Sequence, residues 1–535
     1  MATAFALACL SVRAVPASTK AFVYTQPDGT KITLTKAGDE YGHIYLDENN
    51  TRVVIGADGY ARRTGVKAAE AMQLMKQRRT ESPLMRNLRN APKAKAPTTG
   101  NVKGLIVLVS FSDNAFTNTR DEVHKLMNQE GYNYNGATGS ARDYFISQSS
   151  GVFSPTFDVV GPVTLQFPTR YYGGNLPNGS DRNAGTMIFA AVQAASRQGL
   201  ANLADYDLDG DGIADMVYII YAGKGEADGG SEDTVWPHMS SLQGDPQFAY
   251  QEIGGKRIGL YACSAEQRGD GTFSGIGTFC HEYGHCLGLP DIYDVSYSGG
   301  YGMGRFDIMS QGSYLNNGNT PPNYSGFERA SLGWLQYKEA DRAQHVALAP
   351  IGTGNTAYRL SSANPNEYFV LENRQMEGWD TYLPTRGLLI THIDYDRNAW
   401  DNNAVNTDPD HQRVKLMAAD NVWNYSTMTG DLYPGLLNNT SFTDTSIPSS
   451  RLWDGSLLGK PVTNIAMSGN TVSFDIDVNS SGIGHISADS ESDVSLYTTT
   501  GTLVGKGKAA EVCRNIRHGE IYIMKAEGKT RKVAF

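Results

Sequence analysis

From Ala21 to about Arg63, apolar and polar residues alternate in short runs, broken by Asp-Gly pairs in TQPDGTKITL and IGADGYARR. Asp-Gly supplies the positive φ that a tight hairpin turn needs, so the pattern predicts a small β module. The texture changes at GLIVLVSFSD, residues 104–113, a continuous apolar run of strand length that opens a new core. Helical periodicity follows in SARDYFISQSS and in AGTMIFAAVQAASRQGL, with the alternating run FSPTFDVVGPVTLQF between them. MVYIIYAG reads as a further buried strand and SGIGTFCHEYGHCLGL as a helix, so strands and helices interleave from about residue 104 to 335. Beyond Gln336 the chain is strands and turns, clearest in YFVLENRQ, GLLITHIDYD and TVSFDIDV. VSLYTTTGTLVGKG and EIYIMKAEGKTRKVAF end it as another small β module.

A chain of 535 residues is too long for one hydrophobic core. The pattern predicts an α+β protein with a twisted mixed sheet and a functional helix at 104–338, a β-rich domain at 339–478, a polar linker at 479–493 and the small β module at 494–535. Ahead of these, an apolar run from Ala2 to Val12 followed by Ala14-Val15-Pro16-Ala17 fits a signal peptide at 1–17, although no Lys or Arg precedes the run. The β module of 18–75 then reads as a propeptide. Residues 76–103 carry Lys76, Arg78, Arg79, Arg86, Arg89, Lys93, Lys95 and Lys103 against the single acid Glu81, with three prolines. Such an exposed basic segment is either a processing linker or a solvated tether.

A formal charge of -10 removes the electrostatic footprint of a nucleic-acid binder. No stretch approaches the ~20 apolar residues of a membrane-spanning helix. Five cysteines do not make a disulfide scaffold: Cys9 lies in the leader, and whether Cys263 pairs with Cys280 or Cys286 stays open.

The chemistry concentrates in HEYGHCLGLPDIYD, residues 281–294. Helix positions i and i+4 are about 40° and roughly 6 Å apart, so His281 and His285 present both imidazoles to one point. Glu282, one step round, is placed to take a proton from water at a metal held there. Gly288 and Pro290 end the helix and turn the chain back. Asp291 then arrives where a third ligand is wanted, with Asp294 as the rival. Two imidazoles and one carboxylate leave a fourth position open to water. Eighteen residues past Asp291, Met309 in GRFDIMSQGSY matches a Met-turn beneath a zinc site. Separately, DYDLDGDGIAD places Asp207, Asp209, Asp211 and Asp215 at positions 1, 3, 5 and 9 of a calcium loop, with the Ile213 carbonyl at position 7 and no Glu at position 12. The acidic run Glu226, Asp228, Glu232 and Asp233 has no such spacing and reads as solvated surface. His238 and Tyr314 are candidates for a supporting role at the zinc site.

HEYGHCLGLPDIYD, GRFDIMSQGSY, PPNYSGFERASLGWL, GKGEADGGSEDTVWPH and EYFVLENRQMEGWD, in that set, resemble the immune inhibitor A family of secreted zinc metallopeptidases. The likeness runs from about residue 104 to 478. It implies a metzincin-like catalytic domain with His281, His285 and Asp291 on zinc and Glu282 as the catalytic residue, and it implies that the first module is an inhibitory propeptide. The terminal module is similar to the C-terminal sorting modules of some Gram-negative bacteria. The expected protein is a secreted or surface-held zinc endopeptidase, made as a precursor, acting on protein or peptide substrates and holding calcium as a second ion. A zinc amidohydrolase acting on a non-protein amide and a non-catalytic adhesin keeping the fold are the alternatives.

Overall fold

In the computed structural model, residues 15–71, 96–478 and 493–534 are described, apart from positions 19, 41, 57, 69, 177, 178, 513–520, 527 and 528. Most of the expected leader, the basic segment 76–95 and the polar linker 479–492 lie outside the described residues.

The amino-terminal module is an antiparallel meander: β1 (Phe22–Thr25), β2 (Lys31–Asp39), β3 (Gly42–Leu46), β4 (Thr51–Ile55) and β5 (Ala61–Lys67), each paired with the next. Gly29 and Gly59, at φ 84° and 77°, take the left-handed positions of the two Asp-Gly turns. Its own core is two small clusters, Leu34, Tyr45 and Val53 on one side and Ile44, Leu46 and Ala71 on the other. So little apolar burial leaves a unit of this size marginal by itself. The module leans on the rest of the chain, with the Tyr297 hydroxyl donating to the Gly38 carbonyl and Lys36 buried against residues 226–230.

The central sheet explains the long apolar runs. Its strands are β6 (Lys103–Ser110), β7 (Thr156–Thr164), β8 (Ile213–Lys224), β9 (His238–Ser241) and β10 (Arg257–Gln267), in the order β7-β6-β8-β10-β9. All neighbours are parallel except the edge pair β10 and β9. Alternate side chains enter two different cores: Ile106, Leu108, Tyr218, Ile220 and Ala262 face one way, and Leu105, Val107, Val217, Ile219 and Cys263 the other. A sheet covered on both faces needs continuous apolar strands. Helix α1 (Arg120–Asn128) and helix α2 (Ala141–Gln148) begin at capping boxes formed by Thr119 with Glu122 and Ser140 with Asp143. Helix α3 (Ala184–Arg197) covers the second face with Met187, Ile188, Ala191, Val192 and Ala195. Helix α4 (Gly277–Leu287) covers the first with Phe279, Cys280, Tyr283, Cys286 and Leu287. Cys263, Cys280 and Cys286 are buried and no disulfide joins them to one another, which resolves the pairing question among them.

The β-rich part contains β11 (Lys338–Glu339), β12 (Gln344–Leu348), β13 (Tyr358–Ser361), β14 (Glu367–Arg374), β15 (Gly387–Asp394), β16 (Val414–Leu416), β17 (Val462–Ser468) and β18 (Thr471–Ile476), in two sheets ordered β11-β13-β14-β15-β16 and β12-β18-β17. Phe369, Leu371, Leu388 and Ile390 pack against Val346, Val472 and Phe474 of the second sheet. The other face of the same two strands, Val370, Leu389 and Ile393, joins the core beneath α4. One core therefore crosses the sequence boundary expected at residue 339. The terminal module is a four-stranded antiparallel sheet between Asp493 and Ala534. Among the described residues no helix is long and apolar enough to cross a membrane.

Arg374, at the end of β14, is the polar counterpart of that shared core. Fully buried, it donates to Asp380 Oδ2 at 2.8 Å and Oδ1 at 2.7 Å, to Glu372 Oε1 at 3.1 Å, and to the carbonyls of Phe306 and Asn323 at 3.0 and 3.1 Å. Its guanidinium thus ties the β-rich part to the loop that precedes Met309. Removing one partner of such a network strands buried carboxylates, so Arg374→Met should destabilise the protein by about 3–5 kcal/mol. A denaturant midpoint unchanged from the parent protein would show that the network contributes little.

Candidate active site

Helix α4 stops where its sequence says it should: Gly288 takes φ 109°, its N–H returns to the His285 carbonyl at 2.9 Å, and Leu289 N–H reaches the Gly284 carbonyl at 3.1 Å. The turn puts the Leu289 carbonyl 2.9 Å from His285 Nδ1, and the Ile308 carbonyl lies 2.7 Å from His281 Nδ1. With both Nδ1 atoms engaged by carbonyls, the Nε2 lone pairs face each other and the space between them. His281 Nε2 and His285 Nε2 are 3.0 Å apart, and Asp291 Oδ1 lies 3.4 and 3.3 Å from them. Corners of a tetrahedral site with bonds of about 2.0–2.1 Å are roughly 3.3 Å apart, so the three atoms fit one small cation. Asp291 Oδ1 is buried with no hydrogen-bond partner, while Oδ2 accepts from Asn403 Nδ2 at 2.6 Å. Asn403 also accepts the Asp291 N–H at 2.7 Å. Burial alone would raise the Asp291 carboxyl, but the two imidazoles outweigh it and hold it below the usual range.

The structure places the two aspartates that spacing left as rivals in different surroundings. Asp294 accepts from Ser296 N and Oγ, Ser298 Oγ, Gly299 N and Gly300 N, so both its oxygens brace its own loop. Met309 is fully buried under the helix, and its carbonyl accepts the Ile292 N–H at 2.8 Å. A Cβ on Gly284 would stand 2.9 Å from Met309 Sδ and 2.8 Å from the Tyr324 hydroxyl. The glycine between the two histidines therefore permits this close packing.

Glu282 faces an extended peptide. Its Oε1 accepts the Val15 N–H at 2.7 Å, and its Oε2 is buried without a partner. Burial pushes its carboxyl well up, against the lowering effect of that N–H. Trp236 Nε1 donates to the Val15 carbonyl at 3.1 Å, the Tyr314 hydroxyl to the Pro16 carbonyl at 2.6 Å, and Ser18 N–H to the Ala227 carbonyl at 2.9 Å. A cleft of about 660 Å³ runs alongside, walled by Leu126, Ile220, Phe273, Phe279 and Tyr314. His238 takes no part: Nδ1 is 2.7 Å from the Trp236 carbonyl, Nε2 is 3.1 Å from the Tyr261 hydroxyl, and burial lowers its pKa to about 4.

Residues 93–339 match the family model for the catalytic domain of immune inhibitor A, peptidase M6. The likeness to the M6 peptidases lies in this segment. Over 242 residues the chain is 31% identical to the pre-pro-metalloprotease PrtV of Vibrio cholerae serotype O1 (strain M66-2), an alignment that covers 38% of this chain and 26% of that protein. Over 236 residues it is 29% identical to immune inhibitor A of Bacillus thuringiensis subsp. alesti, covering 37% of this chain and 33% of the Bacillus protein. The matched segment thus spans about a quarter to a third of these relatives' length. An M6 metalloprotease domain implies a bound metal, and His281, His285 and Asp291 are residues that could hold it.

Outside the M6 chemistry, the turn at 207–215 brings carboxylate oxygens of Asp207, Asp209 and Asp211 within 4.8 Å of one another. Lys256 Nζ already meets Asp207 Oδ2 at 2.6 Å and lowers that carboxyl, and Asp215 Oδ2 accepts the Leu208 N–H at 2.7 Å. Ile213 opens β8 and pairs with Arg257. Spacing within the sequence could not reveal Asn403, which is more than a hundred residues from Asp291 and beyond the M6 match. Nor could it reveal the burial of Glu226, expected on the surface and found fully buried. Because Asn403 orients a ligand carboxylate, Asn403→Ala should weaken metal binding about 10–100-fold. Competition with a chelating dye measures this; unchanged affinity would mean that Asp291 needs no such support.

Proposed function

We propose that the protein is a zinc endopeptidase, exported as a latent precursor, that hydrolyses internal peptide bonds of protein substrates. The observation that carries this reading is the joint placement of the His281, His285 and Asp291 ligand atoms and the Glu282 carboxylate on a peptide N–H. Two imidazoles and one carboxylate suit zinc, which when bound supplies Lewis acidity to water and to the scissile carbonyl. Glu282 takes the proton of the attacking water and returns it to the leaving amine. Its raised affinity for protons in a buried setting suits both halves of that transfer. The cleft favours a peptide over another amide, because Trp236, Tyr314 and Ala227 engage successive main-chain groups of an extended segment.

The segment they engage is the chain's own. With Val15 on Glu282, the amino-terminal residues occupy the path a substrate would take, which supports the propeptide as an intramolecular inhibitor. On this reading leader removal stops upstream of Val15, short of the Ala17 boundary, since a cut after Ala17 would discard the blocking contacts. Maturation then requires cleavage between about residues 80 and 104. The Asp207, Asp209 and Asp211 turn is a structural calcium site in this scheme, with Lys256 neutralising part of its charge.

Glu282→Gln should keep its zinc content and lose about 10²–10⁴-fold in casein hydrolysis. Metal analysis alongside turnover tests this, and an active Gln variant would defeat the assignment of Glu282. Chelation should abolish hydrolysis by the parent protein and added zinc restore it. Amino-terminal sequencing of active material should find a start between about 80 and 104; a fully active intact chain would refute latency.

A further inference from the structure

The β1–β5 module delivers one ammonium group into the M6 segment. Lys36, on β2, is 5% exposed. Its Nζ donates to the carbonyls of Glu226 at 2.6 Å and Gly230 at 3.2 Å, and lies 5.3 Å from the centre of the Tyr45 ring and 5.8 Å from that of Trp236. All of these partners except Tyr45 belong to the M6 segment. The charges of Glu226, Glu232 and Asp228 act on Lys36, and the charge of Glu226 also acts on the buried Asp181. Glu226 accepts from Asn175 Nδ2 at 2.8 Å with one oxygen, while the other is buried with no hydrogen-bond partner. His43, on β3, stacks on Trp236 at 5.6 Å with its Nδ1 3.4 Å from Glu226 Oε1. Carbonyl oxygens, an aromatic face and a desolvated carboxylate are the walls that a lysine or arginine side chain requires.

This hollow adjoins the reacting groups. Trp236 bounds it with its ring and donates through Nε1 to the Val15 carbonyl, and the Val15 N–H rests on Glu282. Ser18 is bonded to the Ala227 carbonyl, next in sequence to Glu226. Lys36 and His43 belong to the module expected to be removed on maturation. Its departure would expose a buried carboxylate and remove the ammonium that now sits on the Glu226 main-chain carbonyl, with the carboxylate charge acting on it.

We propose that in the processed enzyme this hollow is a substrate subsite for a lysine or arginine side chain within two residues of the cleaved bond, with Glu226 as its specificity-determining residue. The inference rests on the peptidase reading above. It also gives the segment Lys76–Lys95 a chemical role, because its Lys and Arg residues become sites that the enzyme itself can cut.

The processed, zinc-loaded enzyme is to be profiled on a proteome-derived peptide library. Lys and Arg should be enriched at one fixed position within two residues of the cut. Glu226→Gln should lower kcat/KM at least tenfold for a lysine peptide and less than twofold for its norleucine analogue. A parent-enzyme profile with no basic enrichment at those positions overturns the proposal, whatever the variant does. A second measurement needs no catalysis: the full-length Lys36→Ala, Glu282→Gln chain should bind n-propylammonium at least tenfold more tightly than 1-propanol, by calorimetry, and lose that selectivity when Glu226→Gln is added. Equal binding of the two probes overturns the cation hollow. Selective ammonium binding together with no cleavage of any peptide by the parent enzyme would instead overturn the peptidase reading, and the substrate role with it.

Discussion

Two backbone carbonyls determine the site. Ile308 and Leu289 engage the Nδ1 atoms of His281 and His285, and this fixes which nitrogens converge on Asp291, itself held by Asn403. A rotation of either ring would cost a buried hydrogen bond, so the imidazoles are held in place by the fold itself. Both carbonyls are themselves products of turns. Leu289 follows the left-handed Gly288, and Ile308 precedes Met309, whose sulfur fits against the helix because residue 284 has no side chain. The ligand geometry is therefore an outcome of how α4 ends and of what packs beneath it.

That arrangement extends well past the M6 match. Asn403 holds the outer oxygen of Asp291, and Arg374 bonds the Phe306 carbonyl just ahead of the Met309 loop. Strands β14 and β15 place one face in their own sandwich and the other in the core under α4. The β-rich part thus forms a wall of the unit that carries the site, and a segment cut near residue 339 would lose both polar supports.

The amino-terminal module makes the opposite kind of contact. It has little core of its own and binds through polar groups: the Val15 N–H on Glu282, the Pro16 carbonyl on Tyr314, and Lys36 among carbonyls and carboxylates. Burial raises Glu226 to about 8, with Lys36 pulling it back, so the interface is made of groups that water would solvate well if the two parts separated.

Local rules carried the reading of this chain wherever the cause lay within a few residues. The i, i+4 histidines, the Gly288 stop, the Asp-Gly hairpins and the buried strands β6 and β8 each follow from backbone geometry or periodicity, and the sequence by itself determined them. Tertiary structure decided what depends on partners distant along the chain. It separated Asp291 from Asp294, because only the fold shows that the Asp294 oxygens are consumed by the 296–300 loop. It recruited Asn403, buried Glu226 beneath the first module and took His238 out of the chemistry. The physical reason is the same in each case: whether a polar side chain is a ligand, a brace or a buried charge depends on which groups replace its water, and those groups come from elsewhere in the chain.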